Sequence, residues 1–483
     1  MSLKRPGPQA IVIFGASGDL TARKVIPGLY NLFLNDLLPE HLHIIGYARS
    51  LLSDDEFLTK MHDAIKANSR TGIDEKRWAE FSRCVHYVSG EYGDADGLAE
   101  LIPFLHKADQ ELGPDGQHLF YCATPPDAFP LIVEGLGALG LAKNSRIVIE
   151  KPFGHDLESA RQLNALLHRW FDEKQIFRID HYLGKETVQN ILVFRFANGM
   201  FEPTWNRRYV SLIQIDVAED IGIGGRGAFY EQAGAVRDIV QNHIMQLIAI
   251  LAMEPPAAFD AESIRDEKVK LLRAVQPFDL KDAVKGQYTA GEMGGQRVLG
   301  YREEPDVPPD STTETFVAGT LWIENWRWEG VPIFIRTGKR LAKRETTISV
   351  QFMDAPLLLF EQSGIQRPEP NHLTIRVQPN EGITLTFDAK VPGPEMHVVP
   401  VDMDFSYDES FMTEPAEAYE RLLHDAMAGD ATLFTRSDEI ERAWEIVAPL
   451  LTKTNPEPYW AGSWGPNEAQ KLVPPAGWHH HSR

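Results

Sequence analysis

The sequence predicts an α/β Rossmann-type N-terminal domain followed by an α+β C-terminal domain with a large, mostly antiparallel sheet. The chain has 483 residues, more than the roughly 250–300 that a single hydrophobic core usually serves. Its first third alternates short, continuous apolar runs with helical patterns, which is typical of a parallel sheet covered on both faces. Later segments alternate polar and apolar residues, which is typical of antiparallel strands with one solvent-facing side.

The predicted N-terminal domain contains four strands that should be buried on both faces. They are residues 10–14, 43–47, 118–123 and 146–150. A helix is expected after the first strand, and Pro27 inside it should strain or kink it. Another helix should begin after an N-cap at Asp156, because apolar residues recur at helical spacing from there on.

The predicted C-terminal domain combines antiparallel strands with two helical stretches. The strands are expected at residues 210–219, 373–377 and 383–387, and the helices at residues 229–253 and 416–427. We expect the domain boundary between residues 180 and 195. The chain is therefore divided into a dinucleotide-binding Rossmann-like domain, residues 1–185, and a substrate-binding and oligomerisation domain, residues 186–483.

The net charge of −21 limits the partners that the chain can bind. Duplex nucleic acid and anionic membranes repel such a surface, so we expect neither as a partner. No apolar run approaches the ~20 residues of a membrane span, and residues 1–9 lack the apolar core of a signal peptide. We therefore expect a cytoplasmic protein. The two cysteines show no metal-ligand spacing, and no metal site is expected.

A glycine-containing turn follows the first buried strand and opens the first helix. It consists of Gly15, Ala16, Ser17, Gly18, Asp19 and Leu20. Glycine lets the backbone approach a pyrophosphate, and a helix N-terminus offers N–H groups to it. The turn therefore indicates a dinucleotide site, although a G-x-x-G pattern is also compatible with a tight strand-to-helix turn that binds no ligand.

The end of the second strand indicates which nicotinamide cofactor is bound. Enzymes that use NAD usually place an acidic residue there to hold the ribose 2′-hydroxyl. This strand instead runs into Arg49, whose guanidinium can pair a 2′-phosphate through two hydrogen bonds. We therefore expect NADP as the cofactor, with NAD possible as a secondary one.

A complete G-x-G-x-x-G pattern occurs elsewhere, at residues 222–227. We reject it as the dinucleotide loop because the preceding strand, residues 213–217, alternates polar and apolar residues and so should not be buried on both faces. Glu219 and Asp220, which end that strand, would also repel a pyrophosphate.

Four further segments carry chemically active side chains. Lys151 follows a buried strand, where ligands of α/β sheets bind. His181 and Lys185 would share one face if their segment is helical, and could then clamp one anion. His243 lies on the apolar face of a predicted helix, where a histidine is more commonly a core residue than a base; a carboxylate partner would fix its tautomer and leave one nitrogen to take a proton. Residues 335–344 form a basic turn that could supply the positive patch an anionic substrate needs.

Taken together, these segments resemble the glucose-6-phosphate dehydrogenase family over residues 9–470. The motifs that carry the resemblance are GASGDL, GYARS, LFYCATPP, EKPFG, RIDHYLGKE, VQN, RFAN, WNR, GRG, RDIVQNHIMQ, RTGKRL, YERLLHDA and RSDE. The combination of RIDHYLGKE at residues 178–186 with RDIVQNH at residues 237–243 is highly specific to this family.

The resemblance implies roles for individual residues. His243 is implied to be the general base that removes the C1 hydroxyl proton of glucose 6-phosphate, with Asp180 as its carboxylate partner. Substrate-binding roles are implied for His181, Tyr182 and Lys185 at the phosphate, for Lys151, Glu219 and Asp238 at the sugar hydroxyls, and for Lys339 and Arg344. Cofactor-binding roles are implied for Gly15, Ala16, Ser17, Gly18, Asp19, Leu20, Arg49, Tyr121 and Lys151.

The resemblance also implies the reaction and the assembly. The expected reaction is oxidation of β-D-glucose 6-phosphate to 6-phosphoglucono-1,5-lactone, the first step of the oxidative pentose phosphate pathway, by a homodimer or homotetramer. The chain departs from the family at Thr21 and Ala22, where many members have alanine and then a basic residue. Arg23 and Lys24 are expected to supply that charge.

Two alternative functions are compatible with the predicted fold. One is another NAD(P)-dependent sugar oxidoreductase that acts on an unphosphorylated sugar or a cyclitol, which His181 together with Lys185 disfavours. The other is a non-enzymatic NADP-binding regulator, which would need neither Asp180 nor His243.

Overall fold

The structure is a computed structural model that describes residues 4–93, 95–357, 370–411, 416–473 and 477–479. The chain forms two units. Unit 1 comprises Met1–Lys185, Pro256–Asp266 and Ala416–Glu441. Unit 2 comprises Glu186–Pro255, Glu267–Pro415 and Arg442–Arg483.

The strands and helices are numbered in chain order. The strands are β1 (Gln9–Phe14), β2 (Leu42–Ala48), β3 (Val85–Ser89), β4 (Gln117–Cys122), β5 (Ser145–Ile149), β6 (Ile176–Ile179), β7 (Val210–Ala218), β8 (Ala283–Thr289), β9 (Gly291–Met293), β10 (Gln296–Val298), β11 (Phe316–Leu321), β12 (Ile333–Gly338), β13 (Glu345–Phe352), β14 (His372–Gln378), β15 (Gly382–Lys390), β16 (Val398–Ser406), β17 (Phe434–Thr435) and β18 (Glu457–Trp460). The α-helices are α1 (Ile26–Leu34), α2 (Asp54–Asn68), α3 (Glu75–Phe81), α4 (Ala95–Ala99), α5 (Ile102–Leu112), α6 (Phe129–Ala138), α7 (Leu157–Trp170), α8 (Glu186–Phe196), α9 (Gly227–Ala235), α10 (Met245–Ala252), α11 (Ala261–Ala274), α12 (Tyr407–Phe411), α13 (Ala418–Ala428), α14 (Ser437–Val447) and α15 (Asn467–Gln470). Two further segments, Thr21–Val25 and Val236–Ile244, are π-helical.

Unit 1 is built on a sheet with the strand order β17-β6-β5-β4-β1-β2-β3. Strands β1 to β6 are parallel, and β17 joins the edge antiparallel to β6. Every residue of the central strand β1 is buried, as expected for a parallel sheet covered on both faces. The prediction of an α/β Rossmann-type fold is confirmed.

The four strands predicted for this sheet correspond to β1, β2, β4 and β5. The sequence analysis missed β3 and β6, whose short apolar runs are interrupted by His86 and Arg178. The predicted N-cap is present, because the amide N–H of Ser159 donates to Oδ1 of Asp156 at 2.8 Å, and α7 begins at the next residue.

Pro27 lies inside a helix that runs without a break over residues 19–34, as predicted. The turn before it, Thr21–Val25, is π-helical rather than α-helical, and the amide N–H of Ile26 donates to the carbonyl of Thr21, five residues earlier. A proline inside a helix lacks the N–H that would continue the α-helical hydrogen bonds, and its ring crowds the preceding turn, so this departure from α-helical geometry fits the predicted strain.

Unit 2 is built on a sheet with the strand order β16-β15-β14-β13-β7-β12-β11-β8-β18. Its neighbours are antiparallel except for two pairs, β7 with β12 and β8 with β18, which are parallel. The predicted large, mostly antiparallel sheet is therefore confirmed. The strand predicted at residues 383–387 lies in β15 and is partly exposed as expected, but the one predicted at residues 373–377 lies in β14, whose residues from Leu373 to Val377 are all buried.

The prediction that β7 has one solvent-facing side is wrong. All of its residues from Ile213 to Ala218 are buried, including Gln214 and Asp216. Nε of Arg336, on the parallel neighbour β12, donates to Oδ1 of Asp216 at 2.5 Å. In the sequence, buried polar residues of this kind look like the solvent-facing side of a strand. Their burial is tolerated because a partner on the neighbouring strand forms hydrogen bonds with them, and the local sequence pattern does not show that partner.

The helical stretch predicted over residues 229–253 is present, but it is not one continuous α-helix. The chain leaves helical geometry at Gly234, where φ is +60°, and continues through the π-helical segment Val236–Ile244 into α10. A Cβ at Gly234 would lie 2.4 Å from Oε1 of Glu314, so this close approach requires glycine. Among the described residues, no helix is both long and apolar enough to cross a lipid bilayer.

Candidate functional site

The predicted site residues fall into two sets, one in each unit. The set in unit 1 lies at the carboxyl edge of the parallel sheet, because the strands that precede its members run in the same direction. It contains Gly15 to Leu20 after β1, Arg49 after β2, Tyr121 in β4, Lys151 after β5, and Asp180, His181, Tyr182 and Lys185 after β6. Ligands of open α/β sheets bind at this edge.

The turn after β1, residues 15–20, which we call the glycine cradle, is packed tightly against the end of β4. Gly15 has φ of +80°, and a Cβ there would lie 2.4 Å from the carbonyl oxygen of Ala123 at the end of β4. The amide of Gly18 donates to the Gly15 carbonyl at 2.9 Å, and Nζ of Lys60 donates to the Ser17 carbonyl at 2.6 Å. Because glycine alone permits this approach, the turn fits the predicted dinucleotide site.

The cations near the cradle differ in their surroundings. Nη1 of Arg23 lies 3.4 Å from the carboxylate of Asp19 on the surface, and Nζ of Lys24 lies 2.8 Å from that of Glu417. Arg49 is exposed directly after β2, with its guanidinium carbon 6.0 Å from the centre of the Tyr92 ring. Arg23 and Lys24 are thus each paired with a carboxylate, while the Arg49 side chain is exposed to solvent.

A buried carboxyl, Glu150, lies at the end of β5. Its side chain accepts a hydrogen bond from the hydroxyl of Tyr121 at 2.6 Å and another from the hydroxyl of Tyr419. Burial raises the pKa of Glu150 to about 7, and the two tyrosine hydroxyls and the charge of Lys151 oppose that rise. The group therefore changes its charge near neutral pH, beside a lysine for which the motifs imply ligand binding. The peptide bond between Lys151 and Pro152 is cis.

The segment after β6 is a series of turns rather than the helix on which the predicted anion clamp depended. The amide of Leu183 donates to the carbonyl of Asp180, and the amide of Lys185 donates to that of Tyr182. The ring of Tyr182 lies near both of the other predicted phosphate ligands: its centre is 5.2 Å from that of His181 and 5.4 Å from Nζ of Lys185. Turn geometry thus gathers the three side chains without a helical face.

Asp180 begins this series of turns. It is only 2% exposed, and its Oδ1 accepts the amide N–H of Tyr182 at 3.0 Å. The bond resembles the local side-chain-to-backbone bonds by which aspartate stabilises turns.

Unit 2 brings together three of its five predicted site residues. Nζ of Lys339, directly after β12, lies 2.5 Å from Oε2 of Glu219 and 3.6 Å from Oδ2 of Asp238. It also lies 5.2 Å from the centre of the Tyr230 ring. Lys339 is 2% exposed. One ammonium between two carboxylates offers both donors and acceptors, which suits the hydroxyl groups of a sugar.

The open positive patch expected at residues 335–344 is not what the structure shows. Lys339 is buried between carboxylates, and Nζ of Lys343 lies 2.7 Å from the carboxylate of Glu345. Arg344 is exposed. Because carboxylates lie next to Lys339 and Lys343, the turn presents less positive charge than its sequence suggests.

His243 lies in the π-helical segment Val236–Ile244 and is 1% exposed. The side-chain amide of the preceding Asn242 donates to the carbonyl of Arg237 at 3.0 Å, and its oxygen accepts the backbone N–H of His243 at 2.6 Å. Departures from α-helical geometry of this kind often accompany functional residues. Val236, Ile239 and Val240, which were predicted to share its apolar face, are buried as it is, but the backbone of the segment is π-helical rather than α-helical.

Two glycines of residues 222–227, Gly222 and Gly227, are packed closely against other parts of unit 2. A Cβ at Gly222 would lie 2.7 Å from Nε of Arg340, and one at Gly227 would lie 2.1 Å from the carbonyl oxygen of Pro305. The rejection of this segment as a dinucleotide loop rested partly on a strand with one wet face, and that reason fails because β7 is buried. The close contacts within unit 2 provide the better reason.

Two residues near the carboxyl edge of the parallel sheet in unit 1, Glu150 and Tyr419, were missed as site candidates. Glu150 did carry a signal, because a carboxyl at the end of a fully buried strand requires hydrogen-bond partners. Tyr419 carried none that links it to this edge, since it is far along the chain and reaches unit 1 only through tertiary packing.

Comparisons with known proteins agree with the motifs. Residues 12–190 match the family model for the NAD binding domain of glucose-6-phosphate dehydrogenase, and residues 192–481 match that for its C-terminal domain. Glucose-6-phosphate 1-dehydrogenase 2 of Mycobacterium bovis is 46% identical over 479 residues, which cover 97% of this chain and 93% of the relative.

Two solved structures are similar over their whole length. A glucose-6-phosphate dehydrogenase in complex with its substrate glucose-6-phosphate has a TM-score of 0.92 at 36% identity, with 100% of both chains covered. The glucose-6-phosphate 1-dehydrogenase from Mycobacterium avium has a TM-score of 0.87 at 39% identity, with 99% of both chains covered. The resemblance predicted from the motifs is thereby confirmed.

Proposed function

The chain belongs to the glucose-6-phosphate dehydrogenase family, and we propose that it oxidises C1 of β-D-glucose 6-phosphate with NADP⁺. The product is 6-phosphoglucono-1,5-lactone. The predicted enzyme class, an oxidoreductase, is the class of this family.

The observation that carries the proposal is the shared position of two features in unit 1. The glycine cradle after β1 and the turn containing His181 and Lys185 after β6 both lie at the carboxyl edge of one parallel sheet. A dinucleotide and the phosphate of a sugar can therefore bind along the same edge. The phosphate is remote from C1, so its binding energy can orient the sugar ring.

The proposed chemistry transfers one proton and one hydride. His243 removes the proton of the C1 hydroxyl, and the electrons of that bond form the lactone carbonyl as the hydride leaves C1. Bound NADP⁺ supplies the hydride acceptor. Asp180 stabilises the imidazolium of His243 in this proposal, as the resemblance implies. Such general-base catalysis contributes roughly 10²–10⁴-fold to the rate.

The other site residues bind and orient the substrate in this proposal. Lys339, Glu219 and Asp238 bind sugar hydroxyls, which their mixture of one cation and two carboxylates supports. Lys151, which follows the end of β5, also binds a sugar hydroxyl, and Arg344 supplies a further positive charge for substrate binding. Tyr182 lies near both His181 and Lys185 and limits their motion in this proposal.

We propose that NADP⁺ is preferred over NAD⁺ and that Arg49 causes the preference. The exposed guanidinium after β2 supports this role, because a 2′-phosphate at the end of this strand would meet a cation. A cytoplasmic homodimer or homotetramer is proposed from the resemblance alone, and light scattering on the purified protein measures the assembly directly.

The test follows nicotinamide reduction by absorbance with four combinations of substrates. Glucose 6-phosphate and unphosphorylated glucose are each offered with NADP⁺ and with NAD⁺. We expect rapid reduction of NADP⁺ with the phosphosugar and much slower reduction with glucose. Equal rates with both sugars would favour the alternative sugar oxidoreductase, and equal rates with both cofactors would remove Arg49 as the source of selectivity.

A further inference from the structure

Glu314 lies two residues before β11 and has no role in the proposed function, yet it is bonded to the segment that carries the proposed base. Oε1 of its side chain accepts the backbone N–H of Val236 at 3.2 Å, and its carbonyl accepts the N–H of Ala235 at 3.0 Å. Val236 is the first residue of the π-helical segment Val236–Ile244. The N–H groups at the start of a helical segment have no partner within it, so Glu314 supplies acceptors for two of them from a distant part of the chain.

The side chain of Glu314 fits closely against this start. Gly234, which has φ of +60°, leaves room for its Oε1, because a Cβ there would lie only 2.4 Å away. Burial raises the pKa of Glu314, and backbone hydrogen bonds and the charges of Lys285 and Arg237 oppose that rise. The carboxyl group has an oxygen acceptor for Val236 in either protonation state. The bond to the segment therefore does not depend on the charge of Glu314.

The next residue, Thr315, is bonded to the other side of the proposed sugar-binding cluster. Its carbonyl accepts the backbone N–H of Lys339 at 2.9 Å. The hydroxyl of Tyr459 donates to the Lys339 carbonyl at 2.7 Å and lies 3.0 Å from Oγ1 of Thr315. Nζ of Lys339 lies 3.6 Å from Oδ2 of Asp238, the third residue of the π-helical segment. Two adjacent residues, 314 and 315, thus hold the two parts of the chain that form this ion pair.

We propose that Glu314 is a positioning residue that sets the place of Asp238 against Lys339, and thereby the contacts of the sugar hydroxyls. The proposal rests on the sugar-binding roles of these two residues in the proposed function. Without the bond to Val236, the first turn of the segment is free to move away from β11, and Asp238 moves with it. Glu314 itself touches neither the sugar nor the cofactor in this proposal.

The effect should fall on sugar binding rather than on proton removal. His243 lies seven residues after Val236 in the same segment. The two hydrogen bonds of the Asn242 side chain, to the Arg237 carbonyl and from the His243 amide, stabilise the later part of the segment. A shift at the start of the segment therefore changes the position of Asp238 more than that of His243.

Two substitutions of Glu314 test the proposal. Glu314→Ala removes the acceptor, and Glu314→Gln keeps an oxygen in its place. We expect Glu314→Ala to raise KM for glucose 6-phosphate roughly 3–30-fold, the range that corresponds to one lost hydrogen bond. Glu314→Gln should stay within about threefold of the native KM. In both variants kcat and KM for NADP⁺ should stay within a factor of about two.

Deoxy analogues of the substrate provide a readout that a purely structural role would not move. The 2-, 3- and 4-deoxy forms of glucose 6-phosphate each lack one ring hydroxyl. An analogue that has already lost the hydroxyl bound by Asp238 should be less sensitive to Glu314→Ala. The preference in kcat/KM for glucose 6-phosphate over at least one analogue should therefore narrow in Glu314→Ala and remain close to native in Glu314→Gln.

The matched control is Glu303→Ala. Glu303 is an exposed glutamate of unit 2 whose Oε2 accepts the backbone N–H of Gly300 at 2.9 Å. Its loss removes the same kind of hydrogen bond at a position without a role in the proposed function. All kinetic constants and the preference over the deoxy analogues should remain unchanged in this variant.

The outcomes separate this proposal from the proposed function. An unchanged KM in folded Glu314→Ala, or an equal loss with glucose 6-phosphate and all three analogues, would overturn the positioning role. A Glu314→Gln variant as impaired as Glu314→Ala would also overturn it. If Glu314→Ala does not fold, Glu314→Asp, which withdraws the acceptor by one methylene, decides by the same comparisons. A native protein that does not prefer the phosphosugar over glucose would instead overturn the proposed function.

Discussion

Neutralising Glu150 should stabilise the protein above pH 7 and have little effect near pH 5. The carboxyl is 6% exposed, and burial raises its pKa from the ordinary value of 4.5 to about 7. Tyr121, Tyr419 and Lys151 surround it and all oppose this rise, so the cost of burial exceeds their combined effect. The substitution Glu150→Gln keeps an oxygen acceptor for both hydroxyls but cannot acquire a charge.

The sign of the effect follows from the protons that each state binds. Between pH 4.5 and 7 the unfolded chain has released the Glu150 proton while the native protein retains it. The free energy of unfolding therefore falls as the pH rises through this interval and levels off above the native pKa. At about 1.4 kcal/mol for each unit of pKa shift, the full loss amounts to about 3 kcal/mol.

Urea unfolding of the native protein and of Glu150→Gln, compared at each pH from 5 to 8, measures this quantity. The difference in unfolding free energy should increase in favour of Gln by about 3 kcal/mol across the series. Comparing the two proteins at one pH cancels the contribution of every other titrating group. Glu100→Gln, at an exposed glutamate of unit 1, is the matched control and should show no such trend. A difference that does not vary with pH would refute the reasoning.

Three further predictions concern the site residues. His243→Asn should lower kcat by roughly 10²–10⁴-fold while KM for the sugar changes little; steady-state kinetics with unchanged turnover would remove His243 as the base. Lys185→Ala should raise KM for glucose 6-phosphate by roughly 10–100-fold, because it removes a charge-assisted bond to phosphate, and an unaltered KM would exclude that bond. Gly140→Ala is the control and should cost about 1 kcal/mol in urea unfolding, since Gly140 has positive φ in the left-handed turn that ends α6 and has open space around it. Gly15→Ala should cost at least about 1–3 kcal/mol more, because its Cβ would displace the Ala123 carbonyl; equal costs would show that the cradle is not closely packed.

The features that the sequence predicted correctly depend on residues close together in the chain. A run of apolar residues followed by glycine predicted β1 and the cradle, and the N-cap at Asp156 predicted the start of α7. The turn after β6 gathers His181, Tyr182 and Lys185 because they are neighbours in sequence, although its turn geometry differs from the helix we assumed. Local spacing and backbone preference were sufficient for these features.

Several predictions failed where the environment of a residue is made by distant parts of the chain. The alternation in β7 predicted a wet face, but Arg336 on a neighbouring strand allows Asp216 to be buried. The helical stretch predicted over residues 229–253 is present, but the contact with Glu314 requires a break at Gly234 that the pattern did not show. In both cases a contact between residues far apart in the sequence determined the local structure, and the local pattern could not show that contact.

The sequence by itself determined the two types of fold, the family and the identity of the candidate site residues, because these depend on local periodicity and short motifs. Tertiary structure alone decided that α13 lies within unit 1, that Tyr419 meets His181, and that Glu150 is enclosed between two tyrosines. The physical reason is that burial and electrostatic environment arise from contacts between distant residues. The hydrogen bonds and charges that shift a pKa or orient a ring come into existence only when those residues pack together.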